Sequence, residues 1–255
     1  MTVNLEHRGE NIALITLNRP QSLNAINGEM RRDLTAAMAN VSANDAVRAV
    51  VITGEGRGFC AGADIGDGME GTIEDILNTE YGAFLSIIET CEKPVIAAVN
   101  GPCAGIGMTL ALACDLRVMS SAAYMMMAFS NIGLVPDGGL SWLITREIGY
   151  ARAFQLAVEA EKISAQRCLD LGLVNRVVAP EETLSNALDW AGSLIQRAPI
   201  AIALTKRTFR AAAQDGLRNA AAFEAMLQRT AVKTEDCREG VTALMAKRKP
   251  QFKGR

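Results

Sequence analysis

The chain has 255 residues, 49% hydrophobic and 21% charged, a globular composition that excludes disorder, collagen and coiled coil. Its 26 basic and 28 acidic residues give a net charge of −2, so no basic face for nucleic acid or an anionic membrane is expected. The one histidine, His7, argues against His-rich metal sites and against Ser-His-Asp or Cys-His hydrolysis.

The six cysteines contain no C-x-x-C pair and no zinc spacing, and they sit mostly in apolar stretches, as reduced buried thiols do. The start, MTVNLEHRGE, lacks a basic-then-apolar signal, and no apolar run approaches the ~18 residues of a membrane span. A soluble cytoplasmic protein without a metal is expected.

In chain order, Ile12–Leu17, Ala49–Thr53, Val95–Val99, Leu116–Met119 and Val174–Val178 read as strands. Several are apolar at successive positions, which predicts burial on both faces. Between them, Asn27 is placed to cap a helix carrying Met30, Leu34, Met38 and Val41. Thr72 is placed to cap a second with Ile76, Leu77, Phe84 and Ile88, ended by Pro94. A third helix is expected from Gly105 to Cys114. Beyond Pro180, helices are expected over 183–198, 200–214, 217–233 and 234–248. The pattern is an α/β core over 1–198 and a helical section over 199–255, divided at Pro199.

Two glycine-bearing turns follow strands: TGEGRGFCAGADI (Thr53 to Ile65) and NGPCAGIGMTLALACD (Asn100 to Asp115). Such turns bring backbone close to a ligand and leave N–H groups unpaired, so one amide from each is able to converge on a single oxygen. Tight turns with no further role are the alternative. The segment Gly66–Gly71, GDGMEG, matches a dinucleotide signature in letters only, since a dozen residues separate it from its strand; it reads as a mobile surface loop.

Between Lys93 and Arg146 the only carboxylates are Asp115 and Asp137. Asp115, between a helix and a strand, reads as a turn residue. Asp137, in VPDGG, is either the N-cap of the next helix or a base desolvated by Tyr124–Phe129, Leu134 and Trp142. The basic end AKRKPQFKGR is either a solvated helix terminus or a phosphate contact.

The segments ITLNRPQSLNAI, GFCAGADI, KPVIAAVNGPCAGIGMTLALACD, FSNIGLVPDGG, KISAQRCLDLGLVNRVV and EGVTALMAKRKPQF span nearly the whole chain. In them the chain resembles the crotonase superfamily, the enoyl-CoA hydratase/isomerase family. That resemblance implies a spiral of β-β-α turns, a C-terminal helical section that trimerises the protein, trimers or hexamers, and acyl-CoA thioester substrates. CoA enters as the substrate, and no separate cofactor is implied. By the same resemblance the N–H groups of Ala63 and Ile106 form an oxyanion hole for the thioester. Gln21, Ser22, Leu23, Ala61, Asp64 and Ile65 line the CoA channel, and Phe252 and Lys253 reach the CoA of a neighbouring subunit.

The chain departs from the family's hydratases, whose two glutamate positions are taken by Thr109 and Phe129. Asp137 remains, in a context similar to epoxyphenylacetyl-CoA isomerase-like members. One carboxylate suffices to move a proton between carbons, so double-bond isomerisation is expected. A hydratase is the alternative, and an acyl-CoA-binding member with little catalysis is another. Asp67, Glu70 or Glu74 would then be open to serving as a second carboxylate.

Overall fold

The computed structural model describes residues 1–67, 71–213 and 216–255. Its strands are β1 (Val3–Arg8), β2 (Ile12–Leu17), β3 (Ala49–Gly54), β4 (Val95–Val99), β5 (Cys103–Ala104), β6 (Leu116–Ser120), β7 (Tyr124–Met126), β8 (Ile163–Ser164) and β9 (Arg176–Val178). One sheet has the order β1-β2-β3-β4-β6-β9, parallel from β2 onward, with β1 antiparallel at its edge. A second, three-stranded sheet has the order β5-β7-β8, and a Cys60–Cys103 bridge extends it.

The helices are α1 (Gly28–Ala43), α2 (Ile73–Asp75), α3 (Gly82–Thr90), α4 (Ile106–Ala113), α5 (Leu140–Ile148), α6 (Tyr150–Glu159), α7 (Ala165–Asp170), α8 (Thr183–Leu194), α9 (Pro199–Ala212), α10 (Leu217–Ala231) and α11 (Glu235–Met245). The chain advances in a repeat: a strand in the large sheet, an extended segment in the small one, then a helix. β3, Cys60 and α2–α3 make one turn, β4, β5 and α4 the next, and β6, β7 and α5 a third. This is the β-β-α spiral.

The five strands read from the sequence all form, with Val174–Val178 shortened to β9. Their unbroken apolar runs have the expected cause. Ala13, Ile15, Val50 and Ile52 face the main core, while Leu14, Val51, Ile96 and Val118 face a second cluster closed by Ala187 and Ala191 of α8. Strands β1, β5, β7 and β8 carry no such signal; three are two or three residues long, and β1 lies at the sheet edge.

Asn27 and Thr72 cap as expected, their side chains accepting from the N–H groups of Met30 and Asp75. Each cap contributes about 1 kcal/mol. The segment after Thr72 is not one α-helix: a π turn at Ile76–Tyr81 joins α2 to α3, with Ile76 and Tyr81 buried. The helix expected over 183–198 stops at Leu194, before Pro199 opens α9. The expected end of the 200–214 helix, Gln214, lies outside the described residues, as do Gly68, Met69 and Glu70 of the GDGMEG segment. No helix among the described residues is long and apolar enough to cross a membrane.

Candidate active site

The two glycine turns meet. A Cβ on Gly62 would stand 3.2 Å from the Ala104 carbonyl oxygen, and one on Gly105 would stand 3.7 Å from the Gly62 Cα. Backbone packs on backbone here, and both glycines have positive φ, 113° and 53°. The residues that follow, Ala63 and Ile106, therefore emerge side by side.

Their N–H groups are unspent. Ile26 donates to the Gly62 carbonyl and accepts from the Asp64 N–H, which fixes a parallel bridge between Ile26 and Ala63. Successive N–H groups of an extended segment point to opposite sides, so Ala63 points its own N–H away from Ile26. Ile106 is the first residue of α4, where an N–H has no partner within the helix. Neither amide donates to a protein acceptor among the described residues. Ile106 is buried, whereas Ala63 is open to solvent.

Two side-chain amides, the buried Asn24 and the half-buried Asn100, brace the first turn. Asn24 donates to the Glu55 and Gly58 carbonyls, and Asn100 donates to those of Gly54 and Gly56. Leu23 accepts from the Ala61 N–H, and Asp64 pairs with Arg19 at 2.8 Å. Gln21, Ser22 and Leu23 are thus brought beside Ala61, Asp64 and Ile65 on one surface, where Ile65 is 83% exposed. Arg19 was not singled out from the sequence; its place in the NRP segment was the available signal.

Asp137 lies in the Val135–Gly139 segment before α5. The Gly138 Cα packs so tightly that a Cβ there would fall 2.3 Å from Ile106 Cδ1 and 3.2 Å from Thr109 Cγ2. Asp137 is therefore held through its backbone against the first turn of α4. It is not the helix cap: α5 is capped by Gly139 with no side-chain bond, and Asp137 contributes only its carbonyl, to the Leu140 N–H. Its Oδ1 is buried with no hydrogen-bond partner among the described residues. Burial raises its pKa from 3.8 to about 6. The apolar wall is only partly the expected one: Trp142 belongs to it, whereas Leu134 is 58% exposed. Asp137 shares a cavity of about 520 Å³ with Leu77, Leu85, Pro136, Trp142 and Leu143.

The other carboxylates are occupied or distant. Asp115 is no mere turn residue: it accepts from the Val95 N–H and pairs with Lys206 at 2.8 Å and Arg210 at 2.9 Å. Asp67 accepts from the Gly28 N–H at the start of α1 and faces Arg31 at 3.7 Å. Glu74 is exposed on α2, and Glu70 lies outside the described residues. Thr109 is fully buried, and Phe129 places its ring end 3.8 Å from a Cβ position on Gly105. Phe252 and Lys253 are held elsewhere. Asp236 accepts from the Lys253 and Gly254 N–H groups, and Lys253 lines a cavity with Val47 and Pro94. Those two residues precede β3 and β4, whereas both glycine turns leave the opposite strand ends.

A model of the enoyl-CoA hydratase/isomerase family matches residues 7–255. The chain belongs to this family, the crotonase superfamily. It is 42% identical over 248 residues to a Rhodobacter capsulatus protein named "Probable enoyl-CoA hydratase", covering 96% of each chain. It is 37% identical over 257 residues to the 1,2-epoxyphenylacetyl-CoA isomerase of Escherichia coli, covering 98% of each. The crystal structure of an enoyl-CoA hydratase from Polaromonas sp. superposes with a TM-score of 0.91 at 36% identity, covering 98% of this chain and 99% of the other. Crotonase relatives thus carry both reaction names, and the choice between them falls to the residues of this site.

Proposed function

We propose that the protein is an enoyl-CoA double-bond isomerase in which Asp137 is the single base. The thioester oxygen accepts from the N–H groups of Ala63 and Ile106. Asp137 removes a proton alpha or gamma to the thioester, the charge moves onto the held oxygen as an enolate, and the same carboxyl returns the proton at the other carbon. Fixed N–H donors are worth most where charge develops in the transition state. A carboxylate with a pKa of about 6 is a stronger base than one in water and is still ionised at neutral pH.

The observation that carries this reading is the buried, unpartnered Asp137 Oδ1, in the segment whose Gly138 packs on Ile106; the family resemblance puts Thr109 and Phe129 where hydratases keep glutamates. Neither of those two side chains can act as a base toward water. The hydratase reading has one support, the names of relatives such as the short-chain-enoyl-CoA hydratase of Clostridium acetobutylicum, 35% identical over 261 residues. Comparing rates on 2-enoyl- and 3-enoyl-CoA thioesters in deuterated water separates the two. Isomerisation with exchange of an α- or γ-hydrogen is expected, and hydration far faster than isomerisation would overturn the assignment.

The section over 199–255 is proposed to trimerise the protein, singly or as paired trimers. It leaves Phe209 73%, Leu217 86%, Leu244 76% and Met245 82% exposed, an apolar surface typical of an interface. In that assembly Phe252 and Lys253 would serve a neighbour's CoA, in keeping with their distance from the glycine turns of their own chain.

A further inference from the structure

The cavity that holds Asp137 runs beside α4. At one end Gly138 packs on Ile106, the first residue of that helix; Ala113, its last residue, and Arg210 of α9 line the cavity at the other. The eight residues of α4 make that distance about 10 Å at 1.5 Å per residue. Leu77, Leu85, Trp142 and Leu143 line the cavity together with Asn78, Ser86 and Glu89, and Arg210 is the one cation among the described residues of its lining.

Arg210 is only partly used there. Its Nη2 donates to the Ala113 carbonyl at 3.1 Å and to Asp115 Oδ1 at 2.9 Å, and no described acceptor engages Nε or Nη1. Asp115 is already paired with Lys206 at 2.8 Å, so two cations share one carboxylate. Glu89 also lines the cavity, but it is exposed and forms no ion pair with Arg210 among the described residues. A chain ending in a methyl group would strip water from the guanidinium and offer nothing in return. A carboxylate would accept from its remaining N–H groups and balance its charge.

We propose that this cavity selects acyl chains ending in a carboxylate, the mono-CoA thioesters of dicarboxylic acids, and that Arg210 is the residue that receives the terminal group. This rests on the reading above, which puts the thioester at Ile106 and the reacting carbons at Asp137.

Calorimetric binding of saturated, unreactive thioesters tests it without needing turnover. Hexanoyl-CoA and its ω-carboxy counterpart, adipoyl-CoA, form the first pair, and the series extends to shorter and longer diacids. The wild-type protein is expected to favour the ω-carboxy ligand by about ten- to a hundredfold at one chain length and less on either side. Arg210→Leu should abolish the preference. Arg210→Lys keeps a cation beside Asp115 and should retain part of it, which covers the case in which the leucine variant fails to fold. Equal affinity for both ligands at every length, or a preference that survives Arg210→Leu, would overturn the proposal while leaving the isomerase reading standing. Failure of all these thioesters to bind would overturn both.

Discussion

The two ends of α4 belong to a helix of only eight residues, yet they are built on opposite terms. At the C-terminal end the polar groups are closely paired. Asp115 takes two cations and a backbone N–H, and Arg117 donates to the Leu112 and Cys114 carbonyls and to Glu147. Among the buried side-chain atoms described there, only Arg117 Nε lacks a partner, while Nε and Nη1 of the partly exposed Arg210 engage no described acceptor. At the N-terminal end Ile106 N–H and Asp137 Oδ1 are both unmatched among the described residues, and so is the Ala63 N–H. Paired buried charges hold a fold together, whereas unpaired donors beside a raised-pKa carboxyl cost stability and remain available to a ligand. One helix thus carries an anchor and a reaction site, each with its own aspartate.

The contrast breaks most sharply on substitution of the two aspartates. Asp137→Asn should fold, bind CoA and lose about two to four orders of magnitude in turnover, measured as kcat on a 3-enoyl-CoA. Survival of the rate would move the base away from Asp137. Next in size, Gly105→Ala forces a side chain onto a φ of 53° against the Gly62 backbone and should turn the Ile106 N–H aside. A loss of about a hundredfold or more in kcat, with the fold retained by circular dichroism, is expected from one misplaced donor.

Asp115→Asn should behave in the reverse way. It strands Lys206 and Arg210 and should cost about 3 kcal/mol in urea unfolding, while the folded fraction turns over substrate at close to the wild-type rate. A large loss of kcat without loss of stability would erase the distinction between the ends.

The smallest effects are in pH. Asp137 must be ionised to act, so kcat/KM should rise with pH through about 6 and level off above it. The same shift has the opposite sign for stability. A carboxyl whose folded pKa exceeds its unfolded value favours the fold fully below about 3.8, and that advantage is lost as pH rises through about 6. Asp137→Asn should therefore be more stable than the wild type at pH 8, by on the order of 1 kcal/mol after solvent screening, with the gap closing toward pH 4. A thermal shift of the same size at both pH values would argue against a buried, ionised Asp137.

Much of this was legible from one dimension because the signals are local. Strands buried on both faces print as unbroken apolar runs, caps as Asn27 and Thr72, and the close turns as glycine, since Gly62 and Gly105 hold positive φ values that side-chain-bearing residues rarely adopt. The crotonase motifs directed attention to Ala63, Ile106 and Asp137 for the same reason: each sits in a short segment whose letters are themselves distinctive.

What the sequence by itself determined, then, was the α/β spiral, the glycine turns and the short list of carboxylates. Only the tertiary structure decided which carboxylate is idle. Asp115 and Asp137 are both aspartates next to a helix, and no local pattern separates them. The difference lies in partners brought from far along the chain: Lys206 and Arg210 from α9 reach Asp115, and no donor among the described residues reaches Asp137 Oδ1. Arg210 likewise reads as one more surface cation until folding sets it against the Ala113 carbonyl at the end of α4, in the cavity that also holds Asp137. Electrostatic pairing depends on distance in space, which a chain of letters does not carry.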